Sequence, residues 1–243
     1  MIDLPGFITV RTNSSRLPKK CLLRLGECNV LEHVIRRALF FGLSPIVCTS
    51  TDASDDVIQE IAEREGVRYF RGSLVNKLKR WADCAEHFCL DNFHTIDADD
   101  PFFDAEEMKG SMKMLQSGGL DMVCPTEASS GGGASVGFSL KTSIVKDVVA
   151  SLADEEDTEM MWYYLKKVDG LKTATLKSDN SLLARLTLDY EEDYWLISTV
   201  CRILGNYAPR SEIDELFSRN PDLYKVNWFR NQAWADAQLK KKI

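Results

Sequence analysis

The run Arg11-Thr12-Asn13-Ser14-Ser15-Arg16-Leu17-Pro18-Lys19-Lys20 puts four cations and two serines into ten residues directly after a short apolar stretch, Phe7-Ile8-Thr9-Val10. Small residues let backbone N–H groups face phosphate oxygens, and Arg16 and Lys20 are suited to neutralise the β and γ phosphates of a polyphosphate as pyrophosphate leaves. The run is neither a Walker A loop nor a G-x-G-x-x-G fingerprint, which argues against a P-loop kinase and a nicotinamide dehydrogenase. Taken alone, its composition is better explained by a solvated basic loop. A second run, Ile96-Asp97-Ala98-Asp99-Asp100-Pro101-Phe102-Phe103-Asp104, drives an apolar segment into carboxylates and stops it with proline. Mg²⁺ takes one or two protein carboxylates and fills its shell with water and substrate phosphates, so Asp99 alone is singled out as a ligand. Asp104 reads as the N-cap of the next helix, and Asp97 and Asp100 as parts of a solvated acidic turn. In the third run, Arg185-Leu186-Thr187-Leu188-Asp189, another apolar segment delivers an acid at its end. Asp189 is a candidate second carboxylate; alternatively it and Glu191 to Asp193 simply favour the start of a helix through its dipole.

Elements that can position these runs follow from the periodicity. Phe7 to Val10, Pro45 to Thr49, Val67 to Phe70, Phe93 to Ala98, Met122 to Cys124 and Ala184 to Leu188 are short apolar runs of strand type. Between them lie amphipathic helical patterns from Leu31 to Gly42, Val57 to Gly66, Leu74 to Leu90 and Asp104 to Gln116. This alternation predicts an α/β fold with a mainly parallel sheet covered by helices on both faces. All three acid- or cation-bearing runs then end strands at one edge of one sheet, where open α/β sheets hold ligands. The rhythm breaks after Thr126. The Gly/Ser stretch Ser129 to Ser135 and the segment to Leu183 read as a lobe inserted at about 126–183 into a single domain spanning 1–243. In that lobe Glu159, Trp162, Tyr163 and the Gly131 to Gly133 loop are within the choice for acceptor contacts, although helix packing and flexibility account for them as well.

Composition narrows the partners. Thirty Lys and Arg against thirty-seven Asp and Glu leave a net charge of −7, a poor basis for holding nucleic acid along a surface. Cations that handle phosphate must therefore be concentrated locally, as they are between Arg11 and Lys20. No apolar stretch approaches the roughly 20 residues of a membrane span, and no secretory leader is visible, so the expectation is a cytoplasmic protein with no membrane partner. Seven dispersed cysteines without a C-x-x-C pair read as reduced, buried thiols, and His33, His87 and His94 are given no role.

In order and spacing the motifs resemble those of cytidylyltransferases that activate acidic sugars, including CMP-Kdo and CMP-sialic acid synthetases, and most closely the spore-coat polysaccharide biosynthesis branch. Arg11-x-x-Ser14-Ser15-Arg16-Leu17-Pro18-x-Lys20 is similar to the family's first signature. Thr49-Ser50-Thr51 with Asp55-Asp56, Phe70-Arg71-Gly72-Ser73 and the Asp99-Asp100-Pro101 turn follow in order. Leu186-Thr187-Leu188-Asp189 with Glu192-Asp193, then Asn220-Pro221-Asp222-Leu223 and Asn227, complete a likeness that covers nearly the whole chain. Two positions depart from it. Lys19 stands where the family usually has glycine, and Asp97-Ala98 replaces a glycine-containing approach to the acidic turn.

The resemblance implies a Rossmann-like three-layer nucleotidyltransferase fold with an inserted α+β lobe, working as a homodimer. It implies that CTP is held by Arg11, Ser14 and Ser15 with Thr49, Ser50 and Arg71 near base or ribose, that Arg16 and Lys20 are catalytic, and that Asp99 and Asp189 bind Mg²⁺. The expected reaction transfers CMP to an acidic sugar, a 2-keto sugar acid or a related acid, with release of pyrophosphate, for surface polysaccharide or glycoconjugate synthesis. The rivals are a nucleotidyltransferase using another nucleotide and a sugar phosphate, and a noncatalytic nucleotide-binding relative.

Overall fold

A computed structural model describes residues 4–126, 131–134, 136–177 and 184–240. Ser129, Ser130 and Ser135 of the Gly/Ser stretch, Leu183 at the lobe's end, and Lys241 and Lys242 lie outside the described residues. Seven strands form one sheet: β1 (Pro5–Thr9), β4 (Ser44–Ser50), β5 (Arg68–Gly72), β6 (Asn92–Asp97), β7 (Met122–Cys124), β8 (Ser139–Lys141) and β9 (Thr173–Thr175). Their order is β5-β4-β1-β6-β8-β7-β9. β1 pairs in parallel with β4 and β6, and β4 with β5; β8 runs antiparallel to both β6 and β7. A two-stranded ribbon, β2 (Arg24–Leu25) and β3 (Cys28–Asn29), leads into the first helix. The expected α/β fold with a mainly parallel sheet is the observed one, and within 126–183 both β8 and β9 are strands of the same sheet.

Alternation along the strands sends successive side chains to opposite layers. Ile8, Val47 and Ile96 pack on one face against Leu31, Val34 and Ile35 of α1 (Val30–Phe40), Ile58 and Ile61 of α2 (Asp56–Arg64), and Met108 of α4 (Ala105–Ser117). Phe7, Ile46 and Phe93 point the other way, toward Leu78 and Trp81 of α3 (Lys77–His87), Val145 of α5 (Thr142–Ala150) and Leu165 of α6 (Met161–Leu165). Capping fixes where helices begin. Asn29 and Glu32 form a reciprocal capping box on α1, and Asp104 accepts from the Glu106 and Glu107 amides at the start of α4, as its spacing predicts. The chain closes with α7 (Glu191–Leu204), α8 (Arg210–Arg219) and α9 (Arg230–Lys240).

One expected strand is absent. Ala184 to Leu188 bends at Thr187, and its amides bond to loop carbonyls rather than to a ladder: Leu186 and Thr187 donate to the Gly132 carbonyl at 2.7 and 3.0 Å, and Leu188 to that of Asp99 at 2.7 Å. The alternation of Leu186 and Leu188 with Arg185 and Thr187 mimics a half-exposed strand, whereas all four residues are buried. Gly137 is also locally required. Its φ is +74°, and a Cβ there would lie 1.9 Å from the Thr95 carbonyl oxygen, so no side chain fits beside β6.

Candidate active site

Parallel pairing carries the ends of β1, β4 and β6 to one edge of the sheet, and a cavity of about 300 Å³ opens above β1 and β6. Its walls include Arg11, Ser14, Ser15, Arg16 and Lys20 from the loop after β1, Asp97 and Asp99 after β6, Lys77 and Arg80 from α3, and Glu159 before α6. Thr49, Ser50 and Arg71 do not line it. Thr49 is buried in β4, Ser50 donates to Asp55 at 2.5 Å, and Arg71 is engaged by the carbonyls of Ser50 and Asp52 and by the Asp56 carboxylate. A base or ribose contact from Arg71 would require its guanidinium to leave those partners.

Lys20 and the two singled-out carboxylates meet. The Lys20 ammonium donates to Asp99 Oδ2 at 2.5 Å, Asp189 Oδ1 at 2.8 Å and the Leu188 carbonyl at 2.8 Å. Arg16 Nη2 adds a contact to Asp189 Oδ1 at 2.7 Å. Burial would lower the Lys20 ammonium, but Asp99 and Asp189 more than compensate and raise it above its ordinary value. Burial likewise works to raise Asp189, and Lys20 and Arg16 reverse that, holding it at about 2. Asp99 moves the other way: burial and the neighbouring Asp189 and Asp97 carboxylates push it up, against Lys20. Among the described residues no cluster of three or more His, Cys, Asp or Glu side chains is arranged to hold a metal. Two carboxylates and a carbonyl nevertheless aim oxygen atoms at one positive centre, and an oxygen-only set of this kind suits Mg²⁺ when phosphate and water complete it.

The segment Ala184 to Leu188 explains how residues so far apart in sequence converge. Leu188 is tied to Asp99 by backbone, and Thr187 Oγ1 donates to Asp100 at 2.5 Å. Behind Asp189 lies a set of residues, three of which the sequence motifs name without giving them a part in the site. Asp193, fully buried, accepts the amides of Asp189 and Tyr190 at 2.9 Å each, and forms a two-pronged pair with Arg185 at 2.9 and 3.0 Å. Asn227 donates to Asp193 and to the Arg185 carbonyl, and Arg185 donates to Asn231. The clue available was Asp193 falling at the third helical position after Tyr190, the place from which an acid reaches back to the cap amide.

At the other end of the cavity Arg11 pairs with Glu159 at 2.9 Å and donates to the Leu74 carbonyl, while Lys77 lies 3.3 Å from Asp97. Arg80 is buried with its Nε unpartnered among the described residues, and burial lowers its guanidinium. A basic loop, a convergent carboxylate pair and a polar inner end can bind a triphosphate, orient a second substrate and neutralise departing pyrophosphate.

The model of the Cytidylyltransferase family matches residues 6–194. The chain belongs to the cytidylyltransferase family. This cytidylyltransferase is therefore a nucleotidyltransferase enzyme. It is 27% identical over 235 residues to the spore coat polysaccharide biosynthesis protein SpsF of Bacillus subtilis, covering 91% of this chain and 97% of that protein. In fold it resembles a cytidylyltransferase from Leptospira borgpetersenii, with a TM-score of 0.82 at 21% identity, over 92% of this chain and 97% of the other. It also resembles CMP:2-keto-3-deoxy-manno-octonic acid synthetase in complex with CTP, with a TM-score of 0.65 at 14% identity, over 83% and 99% of the two chains. Among the described residues of the cytidylyltransferase no helix is long and apolar enough to cross a membrane.

Proposed function

We propose that this cytidylyltransferase transfers CMP from CTP to an acidic sugar, with Mg²⁺ as cofactor and pyrophosphate as the second product, in surface polysaccharide or glycoconjugate synthesis. The observation that carries the proposal is the meeting of Asp99, Asp189 and the Leu188 carbonyl at one cation beside the Arg11 to Lys20 loop. The acceptor class rests on the relatives: one is a polysaccharide biosynthesis protein and another joins CMP to a 2-keto sugar acid. A cytoplasmic homodimer is part of the same proposal.

In this reading the loop receives the triphosphate, with Arg11, Ser14 and Ser15 along it. An acceptor oxygen attacks the α-phosphorus in line, the new O–P bond forms as the α–β bridge bond breaks, and the electron pair leaves with pyrophosphate. Arg16 and Lys20 take up the charge of that leaving group. Asp99 and Asp189 would hold Mg²⁺, which supplies neutralisation of charge at the α-phosphate. Asp193 holds the Asp189 backbone and Arg185 lies 3.7 Å from its carboxylate; because the acceptor attacks directly, no covalent protein intermediate is required.

Pyrophosphate release in the presence of Mg²⁺, each of CTP, UTP, GTP and ATP, and a panel of 2-keto sugar acids and sugar phosphates tests the proposal. CTP-selective release with a keto acid is expected. Release with a different nucleotide and a sugar phosphate would replace the substrate pair, and tight CTP binding without release across the panel would favour a noncatalytic relative. Asp189→Asn is expected to lower turnover by a factor on the order of 10² or more while leaving the protein folded; near-normal turnover would refute the assignment of Asp189.

A further inference from the structure

The Lys20 ammonium has three N–H donors, and all three are used on oxygens a divalent cation would need: Asp99 Oδ2, Asp189 Oδ1 and the Leu188 carbonyl. We propose that Lys20 is the exchangeable counter-ion of the Asp99 and Asp189 pair, so that a divalent cation gains those carboxylates only as Lys20 leaves them for the triphosphate. The inference rests on the reading of the two acids as metal-binding, and it concerns how binding is coupled rather than which substrates are used.

Asp189 Oδ1 already carries Lys20 and Arg16 together, and a divalent cation added to the same oxygens would meet the Lys20 ammonium at a range where the repulsion is strong. Lys20 has somewhere else to go. It lines the same cavity as Ser14, Ser15 and Arg16, and its long, flexible side chain starts from a short 3-10 turn, Lys20–Leu22, at the end of the phosphate loop. Arg16 contacts only Asp189 Oδ1 of the three oxygens, so the departure of Lys20 frees Asp99 Oδ2 and the Leu188 carbonyl for a new cation. An anion in the loop draws the ammonium away and a cation at the acids drives it away. Each ligand therefore assists the other, and by linkage the assistance is equal in both directions. A lysine ammonium ordinarily keeps its proton at neutral pH, so the exchange is a movement rather than a loss of a proton.

The test is binding of Mn²⁺ alone, followed through the electron paramagnetic resonance signal of the free ion, with no nucleotide present. Lys20→Met is expected to bind Mn²⁺ about tenfold or more tightly than the wild type, a factor equivalent to about 1.4 kcal/mol. Lys20→Arg, which keeps the charge, should stay near the wild-type affinity. Adding Asp99→Asn to Lys20→Met should abolish the gain and so locate it at the acid pair. In the wild-type protein, saturating Mn²⁺ should accelerate acylation of Lys20 by an amine-reactive ester, read by peptide mass spectrometry. That measurement stands even if Lys20→Met does not fold. Equal or weaker Mn²⁺ binding by folded Lys20→Met, or Lys20 acylation indifferent to Mn²⁺, overturns the inference. A protein that passes these tests but releases no pyrophosphate with CTP keeps this inference and loses the proposed reaction.

Discussion

Acidification from pH 7.5 to 5 is expected to weaken the fold through His33 and His94, two buried imidazoles that brace the site. His33 Nε2 contacts the Pro101 carbonyl at 3.0 Å, in the turn that carries Asp99, and its Nδ1 has no partner among the described residues. His94 Nδ1 lies 2.7 Å from Ser139 Oγ, which in turn lies 2.8 Å from Ser111 Oγ, and His94 Nε2 contacts the Val136 carbonyl. Burial pushes both imidazoles down to about 4, and nearby Arg37 adds to the effect at His33. An unfolded histidine titrates near 6.5, so between about pH 6.5 and 4 the unfolded chain holds more protons than the folded one. Stability is thus complete above about pH 6.5 and declines as pH falls toward 4. At pH 5 the loss is about 2 kcal/mol for each histidine, about 4 kcal/mol together, from the difference between those two pKa values. Denaturant unfolding at pH 7.5 and 5.0 measures it, and His33→Gln and His94→Gln should each remove about half of the pH dependence. A total change below about 1 kcal/mol, or a slope untouched by either substitution, would refute the argument.

Two further outcomes follow from the loop and from the buried pair. Lys19 is exposed and held at φ 55°, ψ 28°, a left-handed conformation that costs a residue with a side chain about 1–2 kcal/mol. Lys19→Gly recovers this less about 0.5–1 kcal/mol of added chain entropy, so a gain of about 0.5–1 kcal/mol is expected in the unfolding free energy, read from a raised denaturant midpoint, and a loss would show that Lys19 makes a stabilising contact. Asp193→Asn leaves the fully buried Arg185 without its two-pronged partner, and should cost about 3 kcal/mol in denaturant unfolding and raise the divalent-ion concentration needed for turnover. A folded variant with an unchanged metal requirement would mean that Asp193 does not position Asp189.

Much of this arrangement was legible in the sequence, because the relevant signals were local. The strand Met122 to Cys124 has the expected bounds, and β1, β4, β5 and β6 lie within two residues of theirs, since runs such as Phe7-Ile8 and Ile46-Val47 must feed two cores at once. Asp104 could be read as a cap from its place alone. Asp99, Asp189, Arg16 and Lys20 were singled out together, and they do touch. What sequence did not disclose depends on distant partners. The segment Ala184 to Leu188 borrows its hydrogen bonds from Gly132 and Asp99, more than fifty residues away, and no pattern within the segment separates that from a strand. Lys77 and Arg80 come to the cavity from a helix whose spacing suggests only helix surface or helix packing, and Glu159, named among the acceptor-contact candidates, comes from the turn before α6. Arg71, which motif order put near the nucleotide, is turned to the carbonyls of Ser50 and Asp52 by the close pairing of β5 with β4.

The family model's match stops at residue 194, yet Asn227 and Asn231, beyond it, close the charge pair behind Asp189. The C-terminal helices are thus not an appendage that could be trimmed or exchanged at will. A fragment cut at the family boundary would leave Arg185 and Asp193 facing solvent on one side, and the acid they anchor would lose its backing while every motif residue remained in place. The unit that holds this acid in place is longer than the stretch the family model matches, and grafting the matched stretch onto another scaffold would transfer the acid without its backing.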